Sequence, residues 1–311
     1  MNKKLLSLAV SIAALLLVSA AATTQTLNGF DVSNASVPAG EILSGGPLRD
    51  GIPAIDHPQF VAARQAGFLN DDDRVLGLFH HGIARAYPIR ILNWHEIVND
   101  EYPGEPVIIS FCPLCGTGTA FTAVQSKAKR FGVSGLLYNS DLLLYDRETE
   151  SLWSQILARA ISGPLRGETL TQLPVEHTAW LDWRKRYPGT TVLSTDTGHR
   201  RDYRRSPYAG YETSEGLYFP VSRLDPRYHP KEQVIGVEIN GRFKVYPFSE
   251  LARTRGEVAD EIQGKKIMIY FDKAHRSARI VDSSRELIPS MTGFWFAWMT
   301  FHPDSEVFTA E

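Results

Sequence analysis

The sequence has no strong excess of either charge. It carries 33 Lys and Arg against 35 Asp and Glu, which gives a formal net charge of −2. That balance produces no field that would attract nucleic acid or an anionic membrane surface, so we expect a partner that is small or neutral. Disorder is excluded as well, because 43% of the residues are hydrophobic and 11% are aromatic, which is ample material for a globular core.

Signatures of several common enzyme sites are also absent. There is no P-loop, no G-x-S-x-G elbow, no H-E-x-x-H and no G-x-G-x-x-G after a strand. The two cysteines are Cys112 and Cys115, so no second CxxC can complete a four-thiolate metal site. Gly116 stands where the attachment motif of c-type haem needs His, which excludes that cofactor. The sequence leaves open whether the chain is an enzyme.

Residues 1–22 are expected to be an export signal. Two lysines begin the segment, residues 5–18 form an apolar run, and small residues follow it. An uncleaved anchor is the alternative, because the run is close in length to a short membrane span. No later run approaches that length, so we expect residues 23–311 to be soluble, periplasmic or secreted, and free of the membrane after cleavage.

An internal repeat organises the rest of the chain. The pattern of residues 75–88 returns at 234–247, and both copies alternate apolar and polar residues around a turn, as β-hairpins do. A short helical stretch and an apolar strand follow each hairpin, and the two strands, 106–111 and 266–271, are 160 positions apart. Two tryptophan pairs match at a spacing of 115: Trp180 with Trp295, and Trp183 with Trp298.

These patterns predict an α+β fold with largely antiparallel sheet, short packed helices and an internal duplication of a hairpin–helix–strand unit. We expect one domain from 23 to 311, made of two homologous halves. The halves are about 50–195 and about 230–311, and an irregular segment, 196–229, joins them. The change in spacing from 160 to 115 gives the first half about 45 extra residues, and this half also holds both cysteines, so we expect function there.

The segment Cys112-Pro113-Leu114-Cys115-Gly116 follows a strand that looks buried and leads into a turn and another strand. A thioredoxin-type CxxC needs a helix at its first Cys, so the segment instead resembles the metal-binding knuckle of rubredoxins and zinc ribbons. Thiolates suit copper or zinc, and we expect copper before zinc. A redox-active dithiol and an inert disulfide are the alternatives.

His95 is the expected third metal ligand, because it precedes the cysteine strand and has Glu96 and Asp100 nearby to hold its other ring nitrogen. The alternative is a histidine on the helix surface that is hydrogen-bonded to one of those carboxylates. His80 and His81 are weaker candidates, since adjacent side chains at a hairpin turn are expected to face opposite ways.

The extra segment of the first half, residues 131–155, is expected to be a β-meander with polar groups at its bends. Four of these groups are predicted to line a cofactor-binding pocket beside the cysteines, although each alone also suits a turn or a cap. They are Ser134, Asp141, Asp146 and Gln155.

Together these residues resemble a known family, domain of unknown function 3179, from about Asp50 to the C-terminus. That is a prokaryotic family of mostly exported proteins, and the resemblance implies no reaction. It is carried by Ala86-Tyr87-Pro88, Asn93-Trp94-His95-Glu96, Cys112-Pro113-Leu114-Cys115-Gly116-Thr117, Ser134-Gly135, Tyr145-Asp146 and Ser151-Leu152-Trp153-Ser154-Gln155.

The sequence therefore predicts an exported soluble protein with a metal site centred on its CxxC, active in metal handling or in an unknown redox reaction. Its partner would be a small molecule or a metal-delivery protein. Two alternatives stay open: a metal-free thiol–disulfide protein, and a non-catalytic binding module in which a disulfide pins a hairpin.

Overall fold

The computed structural model describes residues 25–122 and 128–311. The predicted export signal, residues 1–22, lies outside the described residues. Strands make up 42% of the protein and helices 11%, and most strands pair antiparallel, which confirms the predicted α+β fold class. Among the described residues, no helix has the length and apolar character that crossing a membrane requires.

The elements up to residue 193 are β1 (Thr26–Leu27), β2 (Phe30–Asp31), β3 (Ile42–Ser44), β4 (Phe60–Ala62), β5 (Arg74–His80), β6 (Ile83–Pro88), α1 (Ile89–His95), β7 (Ile97–Tyr102), β8 (Glu105–Cys112), β9 (Thr117–Thr122), β10 (Phe131–Tyr138), β11 (Asp141–Asp146), β12 (Leu152–Ser154), β13 (Arg159–Ser162), β14 (Thr171–Leu173), β15 (Val175–Ala179), α2 (Trp180–Arg186) and β16 (Thr191–Leu193). Two 3-10 helices, Ala39–Glu41 and Ala63–Gln65, flank β3 and β4.

Residues 194–232, which we name the crossing segment, contain no helix or strand. After them come β17 (Gln233–Ile239), β18 (Arg242–Pro247), α3 (Phe248–Leu251), β19 (Glu257–Ile262), β20 (Lys265–Asp272), β21 (Ser277–Asp282), β22 (Ser290–Phe294), α4 (Trp295–Phe301) and β23 (Glu306–Val307).

The two halves pair their strands in the same way. The first half has the order β15–β5–β6–β16 with β6 and β16 parallel, and the second has β22–β17–β18–β23 with β18 and β23 parallel. Each half adds a three-stranded antiparallel meander, β7–β8–β9 or β19–β20–β21. The strand registers agree too. Arg74 pairs with Ala179 in the first half, and Gln233 pairs with Phe294 in the second. Arg74 and Gln233 are 159 positions apart and Ala179 and Phe294 are 115 apart, the two spacings of the sequence repeat.

One packing contact explains why glycine and tryptophan recur at fixed places. In each half a strand glycine lies under a buried indole ring: Gly77 under Trp183, and Gly236 under Trp298. A Cβ at either glycine would lie 2.2 Å from the ring, so only glycine fits. The equal strand pairings and equal Gly–Trp contacts support the predicted duplication, whose common origin stays a prediction.

The cysteine hairpin lies where the parts of the chain meet. The meander β7–β8–β9 joins the second half through one bridge between Gly118 of β9 and Thr292 of β22, which makes an eight-stranded sheet across both halves. We name the extra segment of the first half, residues 131–155, the insertion. It supplies β10, β11 and β12 of a separate five-stranded sheet, β13–β12–β11–β10–β3. Cys112 and Cys115 share one buried core with Trp153 of the insertion and Trp295 of the second half.

Candidate metal centre

The cysteines lie at the tip of the antiparallel pair β8–β9. Cys112 ends β8 and pairs with Thr117, the first residue of β9, and residues 113–116 form the turn between them. Gly116 closes this turn with a φ of 62°, a conformation that favours glycine. The strand–turn–strand expectation for the CxxC is confirmed, and the helix that a thioredoxin-like site needs is not formed at Cys112.

Both cysteines are free thiols, and both are buried. Their sulfurs lie 3.8 Å apart. A carboxylate oxygen of Asp141 completes a group of three in which every pair of potential ligand atoms lies within 4.8 Å. The Ser140 carbonyl also faces the thiols, at 3.4 Å from Sγ of Cys115 and 3.9 Å from Sγ of Cys112. We name Cys112, Cys115 and Asp141 the thiol–carboxyl cluster.

Asp141 reaches the cysteines because it begins β11 directly after a tight turn. The two turn residues, Asn139 and Ser140, have φ values of 52° and 66°, which is the left-handed geometry of a type I′ hairpin. The backbone N–H of Ile156 donates to Oδ2 of Asp141 at 3.1 Å. Its Oδ1 is buried and has no hydrogen-bond partner within the described residues, which is an unusual condition for a carboxylate.

Burial dominates the electrostatics of this cluster. Burial raises the pKa of Asp141 to about 8, although hydrogen bonds from the backbone of Ile156 and Leu142 and from the side chains of Ser154 and Cys112 oppose the shift. Burial, with the neighbouring Cys112 and Asp141, also raises the pKa of the Cys115 thiol well above its ordinary value. Near pH 7 the Cys115 thiol and the Asp141 carboxyl are therefore largely protonated, and Cys115 lacks the low pKa of a reactive cysteine.

His95 does not belong to the cluster, which corrects the prediction that it approaches the two sulfurs. It ends α1 with its side chain buried, and both ring nitrogens are already occupied. Nδ1 lies 2.7 Å from the Pro53 carbonyl, and Nε2 lies 2.7 Å from the Tyr203 hydroxyl. Glu96 and Asp100 are not its partners. Because Tyr203 belongs to the crossing segment, its hydrogen bond with His95 connects that segment to α1.

The four predicted pocket residues have different roles. Ser134 donates to the Leu143 carbonyl across the β10–β11 pair, and Asp146 accepts from Thr149 in the next turn and from the Trp153 indole, so both are used by local structure. Their polar atoms are satisfied within the insertion, and their assignment to a cofactor pocket stays a prediction. Asp141 belongs to the cluster.

Gln155 is not part of the thiol–carboxyl cluster, and its side chain connects β8 to β9. It accepts from the Thr117 hydroxyl at 2.5 Å and donates to the Ser110 hydroxyl at 2.9 Å. All three side chains are buried. We infer that this network holds the base of the cysteine hairpin rather than a cofactor.

A mostly apolar cavity of about 250 Å³ adjoins the cluster. Leu114, between the two cysteines, and Leu142, next to Asp141, line it together with Glu96 and Tyr208. Burial raises the pKa of Glu96 to about 7 against a hydrogen bond from the Tyr208 hydroxyl at 3.4 Å. Glu96 follows the last residue of α1 with a φ of 58°, a left-handed conformation that is costly for this residue type, and its side chain lines the cavity.

Two tyrosines of the crossing segment cover the cysteines. Burial and the neighbouring Cys115 and Cys112 raise the pKa of Tyr211, against a hydrogen bond with the backbone of Tyr218. Burial, Glu96 and Cys112 raise the pKa of Tyr208. The sequence analysis missed both tyrosines, because they lie roughly 100 residues from the cysteines in a segment without periodicity.

Comparison with known proteins gives one match. The family described as Protein of unknown function (DUF3179) matches residues 49–305, which is more than four fifths of the chain. No curated protein and no solved structure matches the chain significantly. The chain therefore belongs to the DUF3179 family, whose description names no reaction.

Proposed function

We propose that this member of the DUF3179 family is a metal-binding protein that holds one transition-metal ion between Cys112, Cys115 and Asp141. The observation that carries the proposal is a buried carboxylate oxygen without a hydrogen-bond partner beside two free thiols. A polar atom in that condition costs free energy, and a metal ion would remove the cost by taking the oxygen as a ligand. Export to the periplasm or beyond remains part of the proposal.

The spacing of the sulfurs suits a tetrahedral ion. Two sulfurs 3.8 Å apart, each about 2.3 Å from the same metal, subtend an angle of about 111° at that metal, close to the tetrahedral value. Two thiolates on opposite sides of an ion would be about 4.6 Å apart at the same bond length. The pair is therefore better placed for zinc than for a linear copper(I) site.

Charge favours zinc as well. Two thiolates and one carboxylate carry three negative charges, which Zn²⁺ reduces to one and Cu⁺ only to two, and residual buried charge is costly. A carboxylate oxygen is also a harder ligand than the imidazole that the sequence analysis assumed. The proposed order is therefore zinc before copper, the reverse of the expectation from sequence.

Three protein ligands leave the fourth position of a tetrahedral site for another group. Tyr211 lies in the same core as the cysteines, and its hydroxyl could bind that group or a water in this position. Because all three ligands are buried, the site suits retention of a metal more than rapid exchange with solvent. Metal handling is thus the proposed role.

A metal-free dithiol is the competing candidate, and the 3.8 Å between the sulfurs is the observation that favours it. Thiol–disulfide exchange needs an accessible thiolate of low pKa. Cys115 is buried, and its pKa is raised well above the ordinary value. The described geometry therefore gives this candidate less support than the metal site.

The decisive experiment measures metal content and free thiols on the purified protein and on matched variants. We expect Cys112→Ser to bind one zinc ion fewer per chain than the wild type after loading, and Asp141→Asn to bind that ion at least about 10-fold more weakly. Cu⁺ binding should survive Asp141→Asn, because two thiolates satisfy that ion. Asp202→Asn, at an exposed carboxylate of the crossing segment, is the control and should bind zinc as the wild type does.

Circular dichroism on each variant separates loss of metal from loss of fold. The proposal is overturned if the folded wild-type protein has two free thiols and binds no more Zn²⁺ or Cu⁺ than Cys112→Ser does. It is equally overturned if denatured protein shows no free thiols and no metal, which would indicate a disulfide.

A further inference from the structure

We propose that His80, His81 and Glu105 form a second metal site, separate from the thiol–carboxyl cluster, that binds a borderline divalent ion such as Zn²⁺ at the protein surface. The Nε2 atoms of both imidazoles lie 2.8 Å from the same carboxylate oxygen, Oε2 of Glu105. The potential ligand atoms of the three residues all lie within 4.8 Å of one another. Two imidazoles and one carboxylate are a ligand set that zinc uses when it keeps a position open.

The backbone at His81 creates this arrangement. Adjacent residues of an extended hairpin point to opposite faces, and the sequence analysis expected that of His80 and His81. His81 instead has a φ of 48° and Gly82 a φ of 75°, so the pair forms the left-handed turn between β5 and β6. This turn brings both rings to one side, with their centroids 4.0 Å apart, and the prediction that they diverge is wrong.

Glu105 supplies a fixed negative charge opposite the turn. It begins β8 opposite Tyr102 of β7, and its side chain is 13% exposed. A carboxylate held beside two imidazoles offers the oxygen and nitrogen donors that a divalent zinc ion binds.

The corresponding hairpin shows that the fold does not need this trio. In the second half Ile239, Asn240 and Lys265 occupy the equivalent positions, and Asn240 and Gly241 form the same turn with φ values of 51° and 78°. Asn is the preferred residue for such a turn. His81 is therefore a less suitable turn residue, and a metal-binding role accounts for it.

The site is open to solvent on the side of His81, whose side chain is 49% exposed. An ion can therefore enter from water, and water can fill the remaining coordination positions. The rival explanation is a surface hydrogen-bond trio in which both imidazoles donate to Glu105 and bind no metal.

The test compares zinc binding to the wild-type protein and to His81→Asn by equilibrium dialysis with Zn²⁺ as the only added metal. The substitution introduces the residue that forms the same turn in the second hairpin, so the fold should be unchanged. We expect the variant to bind one zinc ion fewer per chain, or to bind the weaker ion at least about 10-fold less tightly. Glu105→Gln should give the same loss.

Asn240→His is the reciprocal control and should add no zinc, because Lys265 replaces Glu105 there. Since each comparison is a difference from the wild type, the result is independent of whether the thiol–carboxyl cluster binds metal. Equal zinc stoichiometry and affinity in the wild type, His81→Asn and Glu105→Gln would overturn this proposal and leave the hydrogen-bond trio. Loss of zinc only in Cys112→Ser would also overturn it, while supporting the other site.

Discussion

The turn after β8 and the turn after β20 occupy corresponding positions in the two halves, but their chemistry differs. The first carries Cys112 and Cys115 in an apolar core, and the second carries Asp272 and His275. In the second turn Asp272 caps its own turn by accepting from backbone N–H groups, and its Oδ2 lies 2.7 Å from Nδ1 of His275. The Asp272 side chain is 44% exposed, so water also solvates it.

What covers each turn accounts for the difference. The insertion, which the first half alone contains, brings Asp141 over the cysteines, and Asp141 has no cationic partner in the described structure. The second turn lies beside Asp182, and Arg186 pairs with that carboxylate at 2.7 Å. Negative charge is therefore balanced by arginine in one turn, and we propose a metal ion for the same purpose in the other.

The sharpest test of this comparison is the pH dependence of stability in metal-free protein. The pKa of Asp141 is raised to about 8, so above pH 4 the unfolded chain releases a proton that the folded chain keeps, and stability falls until about pH 8. Asp141→Asn should remove this fall, which amounts to several kcal/mol because each pKa unit corresponds to about 1.4 kcal/mol. Urea unfolding from pH 4 to 8, with Glu96→Gln as a control for the other raised carboxyl, measures it.

Asp272→Asn should behave in the opposite way. Although burial opposes it, His275 and backbone N–H groups lower the pKa of Asp272, so this carboxylate stabilises the fold above its unfolded pKa and loses that contribution as the pH falls. The variant should be less stable than the wild type at neutral pH, and the difference should vanish on acidification. Equal pH profiles for Asp141→Asn and Asp272→Asn would contradict the comparison.

A second prediction concerns the glycine–tryptophan contact, which should contribute equally to stability in the two halves. Gly77→Ala and Gly236→Ala each place a methyl group 2.2 Å from a buried tryptophan ring, so each should reduce the free energy of unfolding by about 3 kcal/mol. Gly189→Ala is the control, because nothing lies within 4 Å of the added carbon, and it should change stability by less than about 0.5 kcal/mol. A large effect in one half alone would show that the Gly–Trp contacts are not equivalent.

The smallest expected effect concerns two buried tyrosines. The hydroxyl of Tyr87 donates to Asp100 at 2.5 Å, and that of Tyr246 donates to Asp260 at 2.8 Å. Tyr87→Phe and Tyr246→Phe should each cost about 1–2 kcal/mol in chemical denaturation, since a hydrogen bond to a charged group is lost while Arg85 and Lys244 still pair with the two carboxylates. A loss of stability in only one of the two variants would show that the tyrosine–aspartate hydrogen bonds are not equivalent in the two halves.

Local patterns predicted the parts of the structure that depend on near neighbours. The hairpins, the turn at Cys112 and the meander around Asn139 follow from glycines, asparagines and alternating residues that lie next to one another in sequence. Asp141 was identified as a pocket residue for the same reason, as it follows a turn in the insertion. The short distance between Asp141 and the sulfurs could not be predicted from sequence, because that distance depends on how one sheet packs on another.

The wrong predictions involve contacts that no local pattern encodes. His95 precedes the cysteine strand, but the Tyr203 hydroxyl binds its Nε2, and Tyr203 belongs to a segment without periodicity. Glu96 lines the cavity, and its left-handed backbone is not signalled by its sequence neighbours. Tyr208 and Tyr211 reach the site from the same crossing segment, so tertiary packing alone reveals them.

The hydrogen bond between the N–H of Phe294 and the carbonyl of Cys115, at 2.8 Å, links the cysteine turn to a residue made very late in synthesis. Ribosomes release the chain from its N-terminus, so both cysteines and Asp141 emerge well before Tyr203, Tyr211 and Phe294. The nascent protein thus has a period in which its thiols are accessible and the site is open. We expect metal to enter during this period, and its later release to require detachment of β22 from the cysteine turn.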